Sequence, residues 1–577
     1  MSEGLDLKDF YGATIERIKK QGGEKARLGM AALMWISHSE RLLQLDELLH
    51  ALAVEIGSTD LNAGNIPLVE TLLSCCLGLV VHDKEASTIR LIHFSLQEYL
   101  NTCPDIFGST HSIMAETCLT YLNFQTITDI LSMPKDGWTE RFVLPQSTPF
   151  LGYSSLYWGV HAKREASNGI ISLTLQLFSQ IETHISTKLL LEDVSQRSNQ
   201  WSWNIPVDGP LIGFTKLHCA SIFGIVEIAT SLIDQPNYDL NKRDFLGITP
   251  LIWAAICGQE GVAKLLLERQ TVNPDMSDKG EPSPRAALSW AATMGHEGIV
   301  KLLLERASAN PDGTDGWWGR TPRVVKKVGG RRYVNPNRLE KFGRTPLIWA
   351  ASSGHEGVVK LLLGRSDVNP NMPSHYGKSP ICCAAEAGHD GVVRLLLERG
   401  DVSPSMPDKS GQTPLSCAAV YERDRVAKLL LQREDVNPNM PGKSGRTPLS
   451  YTAGGGGDRV AKLLLQREDV NPNMPDKSGR TPLSWAAQWG NDGLAKLLLQ
   501  REDVNPNIPD NVGRTPLSWA TMQGNYDIVA LLLRREEVNP NIPNKYGPTP
   551  PSLAFMKRHK GVVKLLQAHK SANPNPA

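Results

Sequence analysis

Residues 479–512 read GRTPLSWAAQWGNDGLAKLLLQREDVNPNIPDNV, and this stretch returns along the chain with constant spacing. A Thr-Pro or Ser-Pro pair begins a repeat at seven positions, each 34 residues after the last: Thr345, Ser379, Thr413, Thr447, Thr481, Thr515 and Thr549. Upstream, Thr249 follows Thr215 by the same 34 residues. A period held this strictly is typical of a solenoid, in which short modules stack in one row.

Each repeat carries the signals of two helices. Thr481 is placed to cap the first helix, and Pro482 suits its first turn, where a missing N–H costs nothing. Gly490 is placed to end this helix. Leucines at helical spacing mark a second helix over residues 494–499, and an extended segment follows at 504–507. One repeat cannot cover its own leucines, so it must stack on its neighbours.

This repeat resembles the ankyrin repeat, in the form GxTPLxxAAxxGHxxVVxLLLxxxxVN, over residues 210–577. The resemblance implies an α-helical solenoid that binds other proteins. In the family a histidine follows TPL, and here only His218 retains it. Isoleucine or serine replaces it at Ile252, Ile348, Ser416, Ser450, Ser484 and Ser518. The inter-repeat bonds that this histidine makes in the family therefore do not carry over to most repeats.

The pattern fails between residues 311 and 342. A Gly-Arg-Thr-Pro start at 319–322 is followed almost at once by Val324, so the ten residues of the first helix are missing. We expect a break or bend there, between a sub-stack at 210–310 and a second one at 343–577, unless an exon has been mis-spliced. A basic cluster at 320–332 could attract nucleic acid or an importin, although a solvated loop is the preferred interpretation.

Two Gly-Lys-Ser tripeptides, at residues 377–379 and 442–444, resemble the end of a phosphate-binding loop. Such a loop needs GxxxxGK[ST] after a buried strand, but Met372 and Asn437 stand where its first glycine belongs. Both tripeptides also fall in register with ordinary repeat turns. No second histidine completes an HExxH motif, and no GxSxG elbow is present. The sequence therefore predicts no enzyme activity, no metal site and no cofactor.

Composition argues against other classes of function. The 577 residues include 61 Lys and Arg against 60 Asp and Glu, so no charge excess favours nucleic acid. No apolar run reaches the ~20 residues that a membrane helix needs. The nine cysteines are scattered without a CxxC pair, which is typical of reduced thiols. We expect a cytoplasmic protein, with a nuclear location as the alternative, that has neither a membrane nor a nucleic-acid partner.

The N-terminal third predicts a separate domain at residues 24–110. Apolar-periodic helices are expected at 26–36, 45–54 and 66–76, followed by β-rich runs at 77–82 and 88–94. Three helices and a hairpin are typical of a winged helix. Ser95 and Glu98 then predict a capping box for one more helix.

LQLDELLHALAVE at 43–55 and RLIHFSLQEYL at 90–100 resemble the winged helix that follows the ATPase core in fungal NACHT-type (NLR-like, STAND) proteins. A related segment is known from GPI inositol-deacylase-like proteins. Residues 1–23 resemble the closing helix of the ATPase module, and 111–205 resemble a helical connector. His93 is the nearest match to a histidine that touches phosphate in relatives, although a structural role is preferred.

No Walker A or Walker B motif precedes the winged helix, so the sequence predicts no NTPase core in this chain. Signalling would then need a separate NTPase-bearing chain. Alternatively, the chain is the C-terminal part of an NTP-dependent STAND receptor whose ATPase domain is missing from the gene model. A nuclear adaptor that uses the basic 320–332 cluster is the third possibility.

The turns of the repeats supply the candidate partner-binding residues. The residues around each turn glycine are largely basic or aromatic and project along one edge: Arg344, Tyr376, Lys378, Lys409, Lys443, Arg446, Lys477, Arg480, Arg514, Lys545 and Tyr546. Tyr421 and Trp489 are expected as aromatic anchors in the concave groove. Trp485 and its in-register counterparts are interpreted as packing residues. The alternative for the charges is solvation within the stack.

The sequence as a whole predicts a mainly α chain, with an ankyrin-repeat α-solenoid preceded by a winged-helix domain and a helical connector. Its predicted function is that of a non-enzymatic scaffold or sensor. The predicted partner is a protein with acidic or extended character, which suits a basic stripe.

Overall fold

A computed structural model describes residues 7–130, 145–197, 205, 210–278, 285–306, 334–340, 342–455 and 458–572. The described residues form two compact units, an N-terminal unit that ends at residue 278 and a C-terminal unit that starts at residue 285. Both are mainly helical. Among these residues no helix combines the length and the apolar character that crossing a bilayer requires.

The N-terminal unit begins with the winged-helix elements that the sequence predicts. Their bounds are α1 Leu7–Lys19, α2 Gly23–His38, α3 Leu45–Ala53, α4 Val69–Cys75, β1 Val80–Asp83, β2 Thr88–Leu91 and α5 Phe94–Thr102. The two strands pair antiparallel, with Val80 opposite Leu91 and Asp83 opposite Thr88. The predicted helices and hairpin are therefore confirmed to within a few residues at each end.

The start of α5 differs from the prediction. The helix begins at Phe94, and its N-cap is His93, whose Nδ1 accepts a hydrogen bond from the Ser95 backbone N–H at 3.2 Å. The Ser95 hydroxyl lies 2.7 Å from the same nitrogen and 2.8 Å from the Tyr11 hydroxyl. The capping box predicted from Ser95 and Glu98 is wrong, because the His93 imidazole supplies the acceptor two residues earlier. His93 serves here as a helix cap.

Among the described residues, five α-helices connect this domain to the repeats: α6 Thr110–Leu122, α7 Gln125–Thr128, α8 Leu151–Arg164, α9 Asn168–Leu177 and α10 Ile185–Arg197. Their core is aromatic, with Tyr121, Phe150 and Tyr153 all buried. Trp158 of α8 packs on Phe223 of the first repeat, with ring centroids 4.8 Å apart. The connector is therefore packed against the first repeat rather than being a loose linker.

Within the described ranges ten helix pairs follow, two in the N-terminal unit and eight in the C-terminal unit. They are α11 Lys216–Phe223, α12 Val226–Ile233, α13 Pro250–Cys257, α14 Glu260–Glu268, α15 Ala287–Met294, α16 Glu297–Glu305, α17 Pro346–Ser353, α18 Glu356–Leu363, α19 Pro380–Ala387, α20 Asp390–Glu398, α21 Pro414–Val420, α22 Asp424–Leu431, α23 Pro448–Gly455, α24 Asp458–Leu465, α25 Pro482–Trp489, α26 Asp492–Leu499, α27 Pro516–Gln523, α28 Tyr526–Leu532, α29 Pro550–Met556 and α30 Lys560–Ala572.

The local signals in the repeat act as the sequence predicts. Thr481 Oγ1 accepts a hydrogen bond from the Ser484 N–H at 3.2 Å, which caps α25. Gly490 ends that helix in the left-handed conformation, with φ 75°. Ala486 and Leu498 are fully buried. Alanines let the first helices of neighbouring repeats approach closely, and the leucines of the second helices fill the space behind them.

An asparagine ladder joins successive repeats along the extended Val-Asn-Pro-Asn segments. The Asn473 side chain donates from Nδ2 to the Asp503 carbonyl at 2.6 Å and accepts at Oδ1 from the Asn505 N–H at 2.8 Å. The same pair of bonds recurs at Asn241, Asn337, Asn371, Asn439 and Asn507. These bonds satisfy the backbone of a segment that has no helix or sheet partners of its own.

An arginine also crosses six of the described joints, and these arginines are Arg365, Arg399, Arg433, Arg467, Arg501 and Arg535. Arg467 donates from Nη1 to the Leu431 carbonyl of the preceding repeat at 2.7 Å, and its guanidinium forks onto the Asp469 carboxylate. This pairing lowers the pKa of Asp469 from its ordinary value. These arginine bonds join neighbouring repeats that lack the TPL histidine. In most repeats the substituted serine bonds within its own turn, as Ser416 does with Thr413 at 3.1 Å.

The predicted break at 311–342 concerns residues that lie mostly outside the described ranges. The repeats on either side of it pack directly on each other, α15 against α17. The His355 Nε2–H donates to the Thr293 carbonyl at 2.8 Å, and Glu340 Oε1 accepts from the Ala286 N–H at 2.9 Å. The stack is therefore continuous across this point for the residues that are described. The basic 320–332 cluster itself lies outside them.

Candidate functional site

The turns that precede each Thr-Pro pair hydrogen-bond to one another in a line. The Lys477 N–H donates to the Ser444 carbonyl at 3.0 Å, and the Lys443 N–H donates to the Ser410 carbonyl at 2.8 Å. Lys409 and Lys545 are held by the same bond. All four lysine side chains are exposed. We call Lys409, Lys443, Lys477 and Lys545 the tip row.

The Gly-Lys-Ser tripeptide at 442–444 lies in one of these turns. The Gly442 N–H donates to the Arg446 carbonyl at 2.9 Å, and the Lys443 N–H is committed to the preceding repeat. A phosphate loop requires such backbone N–H groups to point at the ligand. Because these donors are used inside the stack, the turn has no phosphate cradle, in agreement with the sequence analysis.

The arginines that follow the turn glycines behave differently from the tip row. The guanidinium carbon of Arg480 lies 3.8 Å from the Trp485 ring centroid, and that of Arg514 lies 4.0 Å from the Trp519 centroid. Arg446 lies between Tyr451 and Trp485, at 4.5 and 4.1 Å. Burial lowers the pKa of Arg446 from its ordinary value.

Arg344 is placed in the same way, 4.6 Å from the Trp349 centroid. Arg344, Arg446, Arg480 and Arg514 were predicted as partner contacts, and the structure puts them half-buried against rings. Their contribution is cation–π packing within the stack, worth about 0.5–2 kcal/mol each. The predicted single stripe therefore separates into an exposed row of lysines and a packed row of arginines.

The in-register tryptophans are packing residues, as predicted. Trp485 and Trp519 are buried, and each indole N–H donates to the carboxylate nine residues earlier, on Asp476 and Asp510, at 3.1 and 3.2 Å. In the repeat that begins at Thr345 the acceptor is Glu340, at 3.1 Å from Trp349 Nε1. Burial raises the pKa of Glu340 to about 7.

The two groove candidates are exposed. Trp489 is 61% accessible at the end of α25, and Tyr421 is 46% accessible just after α21. A hydrogen bond with the Glu386 carboxylate raises the pKa of Tyr421. Glu386 also forms an ion pair with Lys378. The structure thus joins Lys378 and Tyr421 through one carboxylate, although the sequence placed them on different surfaces.

Four of the candidates surround one open pocket of about 590 Å³: Arg344, Tyr376, Lys378 and Lys409. Tyr376 is 57% exposed at its rim, and its ring stacks on Phe342 with centroids 6.1 Å apart. Cys383 and Asp408 line the same pocket. The remaining candidate, Tyr546, is 82% exposed near the end of the stack.

Glu422 is a residue that the sequence analysis missed. It has φ 56°, in the left-handed region, at the position where other repeats carry glycine. Its Oε1 is buried and has no hydrogen-bond partner. Burial, together with Asp458 and Asp424, raises its pKa to about 6. The signal was available, because Glu422 stands in register with Gly388 and Gly490.

The thiols offer little reactivity. All nine cysteines are free. Burial raises the pKa of Cys76 to about 12 and that of Cys219 well above its ordinary range, so both stay protonated near neutral pH. In the part of the chain that is described, no group of three or more His, Cys, Asp or Glu side chains has a geometry that fits a metal ion.

Comparison with known proteins gives the class. A family profile described as ankyrin repeats (3 copies) matches overlapping segments from residue 217 to residue 577, which is more than half of the chain: 217–315, 270–374, 319–406, 359–441, 433–510 and 502–577. The chain therefore belongs to the ankyrin-repeat family. The winged-helix domain of GPI inositol-deacylase matches residues 15–108. The predicted fold class is confirmed.

One solved structure among those similar to this chain is the crystal structure of the ankyrin repeat domain of Bcl-3, described as a unique member of the IkappaB protein family. It is 26% identical in sequence, and the match covers 39% of this chain and 99% of that one, with a TM-score of 0.35. Ankyrin-repeat domains are generally non-enzymatic modules that bind other proteins, and this supports an interaction role here.

Proposed function

We propose that this chain is a non-enzymatic scaffold or sensor that binds an acidic, extended segment of a protein partner along its tip row. The observation that carries the proposal is the exposed position of the tip row. Among the described residues, no ion pair involves Lys409, Lys443, Lys477 or Lys545. The acidic residues Asp435, Asp469 and Asp503, by contrast, are each paired with an arginine.

This difference leaves the turn edge with uncompensated positive charge. The cations Lys409, Lys443 and Lys477 stand in three consecutive repeats and Lys545 follows after Asn511, and backbone hydrogen bonds tie these turns together. A rigid line of charge of one sign steers an oppositely charged partner and fixes its register. Tyr546 and Trp489 provide exposed rings close to the same repeats, and such rings supply apolar anchors in interfaces.

The N-terminal unit supports a receptor-like origin for the scaffold. The winged-helix match at residues 15–108 belongs to a domain that accompanies ATPase modules in NLR-like proteins, so we propose derivation from such a receptor and a cytoplasmic location. A separate NTPase-bearing chain would then be a second partner. The same match also fits an alternative function, that of an NTP-dependent receptor whose ATPase domain lies in sequence beyond this chain.

The test is a charge reversal with a control matched repeat by repeat. In the full chain, K409E/K443E/K477E reverses three tip-row cations. K428E/K462E/K496E reverses three exposed lysines on the second helices of the same repeats. The probe is a fluorescein-labelled acidic heptapeptide, EDEWEDE, whose binding is followed by anisotropy at 50 mM salt.

We expect the tip-row variant to lose at least about tenfold in affinity, because three exposed charge contacts contribute about 0.5–1 kcal/mol each at low salt. The matched control should stay within threefold of wild type. Equal losses in both variants would mean that only net charge matters, and the tip row would then have no special role.

A further inference from the structure

A regular arginine–aromatic row runs through the C-terminal unit next to the tip row. Arg446 and Arg480, which each follow a turn glycine, face the ring of their own repeat and the ring of the next one. Arg446 lies 4.5 Å from the Tyr451 centroid and 4.1 Å from that of Trp485. Arg480 lies 3.8 Å from Trp485 and 5.8 Å from Trp519. A ring at this position in a repeat therefore contacts the arginine of its own repeat and the arginine of the preceding one.

The row is interrupted in two consecutive repeats. The ring stands four residues after the capping Thr or Ser, where Trp349, Tyr451, Trp485 and Trp519 are found. At the two positions between Trp349 and Tyr451 the residues are Cys383 and Cys417. Arg344 faces Trp349 on one side, but the next repeat offers it a thiol instead of a ring.

The interruption also leaves an acceptor without its donor. Asp476 Oδ1 holds the turn N–H groups of its repeat, and its Oδ2 accepts the Trp485 indole N–H. Asp408 makes the same turn bonds through Oδ1, from the Ser410 and Gln412 N–H groups at 2.8 and 2.9 Å. Because residue 417 is a cysteine, Oδ2 of Asp408 has no indole N–H to accept.

An open pocket lies at this interruption. Its volume of about 590 Å³ lies within the range of roughly 300–1,000 Å³ that is usual for ligand pockets. Arg344 and Lys378 line this pocket together with Cys383, so two cations lie at the place of the missing ring. We call this pocket, lined by Arg344, Tyr376, Lys378, Cys383, Asp408 and Lys409, the ring notch.

We propose that the ring notch receives an aromatic side chain, best a tryptophan, from the acidic partner segment that lies along the tip row. The ring would lie against Arg344 as Trp485 lies against Arg446, and the Asp408 carboxylate would accept an indole N–H. Lys409 belongs to both the notch and the tip row, so acidic residues beside the tryptophan would meet its charge. The inference rests on the proposed function and deepens it.

The test uses the full chain and two peptide probes, EDEWEDE and EDEAEDE, which differ only in the central residue. Three variants are compared with wild type. C383W supplies the ring that other repeats carry, C383L fills the notch with a smaller apolar group, and C383S leaves it open. Thermal melts establish that each variant is folded, and titration calorimetry measures both affinities.

We expect wild type and C383S to bind EDEWEDE about tenfold more tightly than EDEAEDE. C383W and C383L should bind both peptides equally, with the affinity that wild type has for EDEAEDE. A preference for tryptophan that persists in folded C383W or C383L would overturn the notch. If wild type binds both peptides equally and K409E/K443E/K477E binds neither, the proposed function is supported and the proposal of the ring notch is wrong. If neither peptide binds, both proposals fall.

Discussion

Replacing Glu422 by glycine should stabilise the repeat that begins at Thr413. Glu422 has φ 56°, whereas the glycines at this position, such as Gly388 and Gly490, have φ 89° and 75°. A non-glycine residue in the left-handed region costs about 1–2 kcal/mol. The greater freedom of glycine in the unfolded chain offsets about 0.5–1 kcal/mol of that gain. We therefore expect E422G to raise the local opening free energy by about 1 kcal/mol.

The gain should depend on pH in a defined direction. Burial and the neighbouring Asp458 and Asp424 raise the pKa of Glu422 to about 6, above the ordinary value of 4.5. The folded repeat therefore disfavours the charged form, and wild type loses stability as pH rises from 4.5 to 6. Removing the carboxylate therefore recovers the lost stability only at the higher pH. The Glu422 side chain is only half-buried, so the pH-dependent part of the gain should be small, about 0.5 kcal/mol.

Native-state hydrogen exchange of residues 413–435 at pH 5 and pH 7.5 measures both contributions to the gain, the relief of backbone strain and the removal of the charge. E422Q keeps the backbone strain and removes the charge, so its gain should appear at pH 7.5 alone. E422G should gain at both pH values and more at pH 7.5. The reverse change, G388A, should cost about 1 kcal/mol, since it forces a side chain to φ 89°. If E422G gains nothing at either pH, the assignment of strain to this residue is wrong.

Three further outcomes are expected. Burial raises the pKa of Glu340 from 4.5 to about 7, so wild type should lose up to about 3 kcal/mol of stability as the pH rises between these values. E340Q should show no such loss, and urea titrations at pH 5 and 8 measure the difference. N473A should cost about 1–2 kcal/mol and speed exchange of the Asn505 amide, because both ladder bonds are lost; an unchanged amide would contradict the ladder. Residues 447–462 should exchange before 481–500, since each extra helix glycine costs ~1 kcal/mol; equal protection would contradict this.

The fold was largely predictable because its determinants are local and repeated. The 34-residue period, the capping threonine and the left-handed glycine each act within about ten residues of sequence, and all three hold in the structure. His93 was the exception. Its cap on α5 competes with a capping-box pattern at Ser95, and the sequence alone does not tell which of the two the backbone uses.

The candidate site was predictable only in part. Lys477 and Arg480 stand on either side of one turn glycine, so spacing alone grouped them into a single stripe. The structure separates them, since Lys477 points to solvent and Arg480 lies over Trp485. The ring notch was similarly out of reach. It exists because two residues that are 34 positions apart, Cys383 and Cys417, are both small where their counterparts are aromatic.

Most described joints in the C-terminal unit are made by the same groups, namely an asparagine amide, an arginine guanidinium and a turn N–H, although Ser405 replaces the asparagine at one of them. One repeat can therefore pack on another repeat of this unit through the same contacts. A 34-residue block such as 445–478 can be duplicated or deleted in frame, and the surfaces that meet afterwards are already complementary. Each such event lengthens or shortens the positive edge by one lysine. Recombination can thus change the number of repeats in the solenoid without requiring a new kind of contact between them.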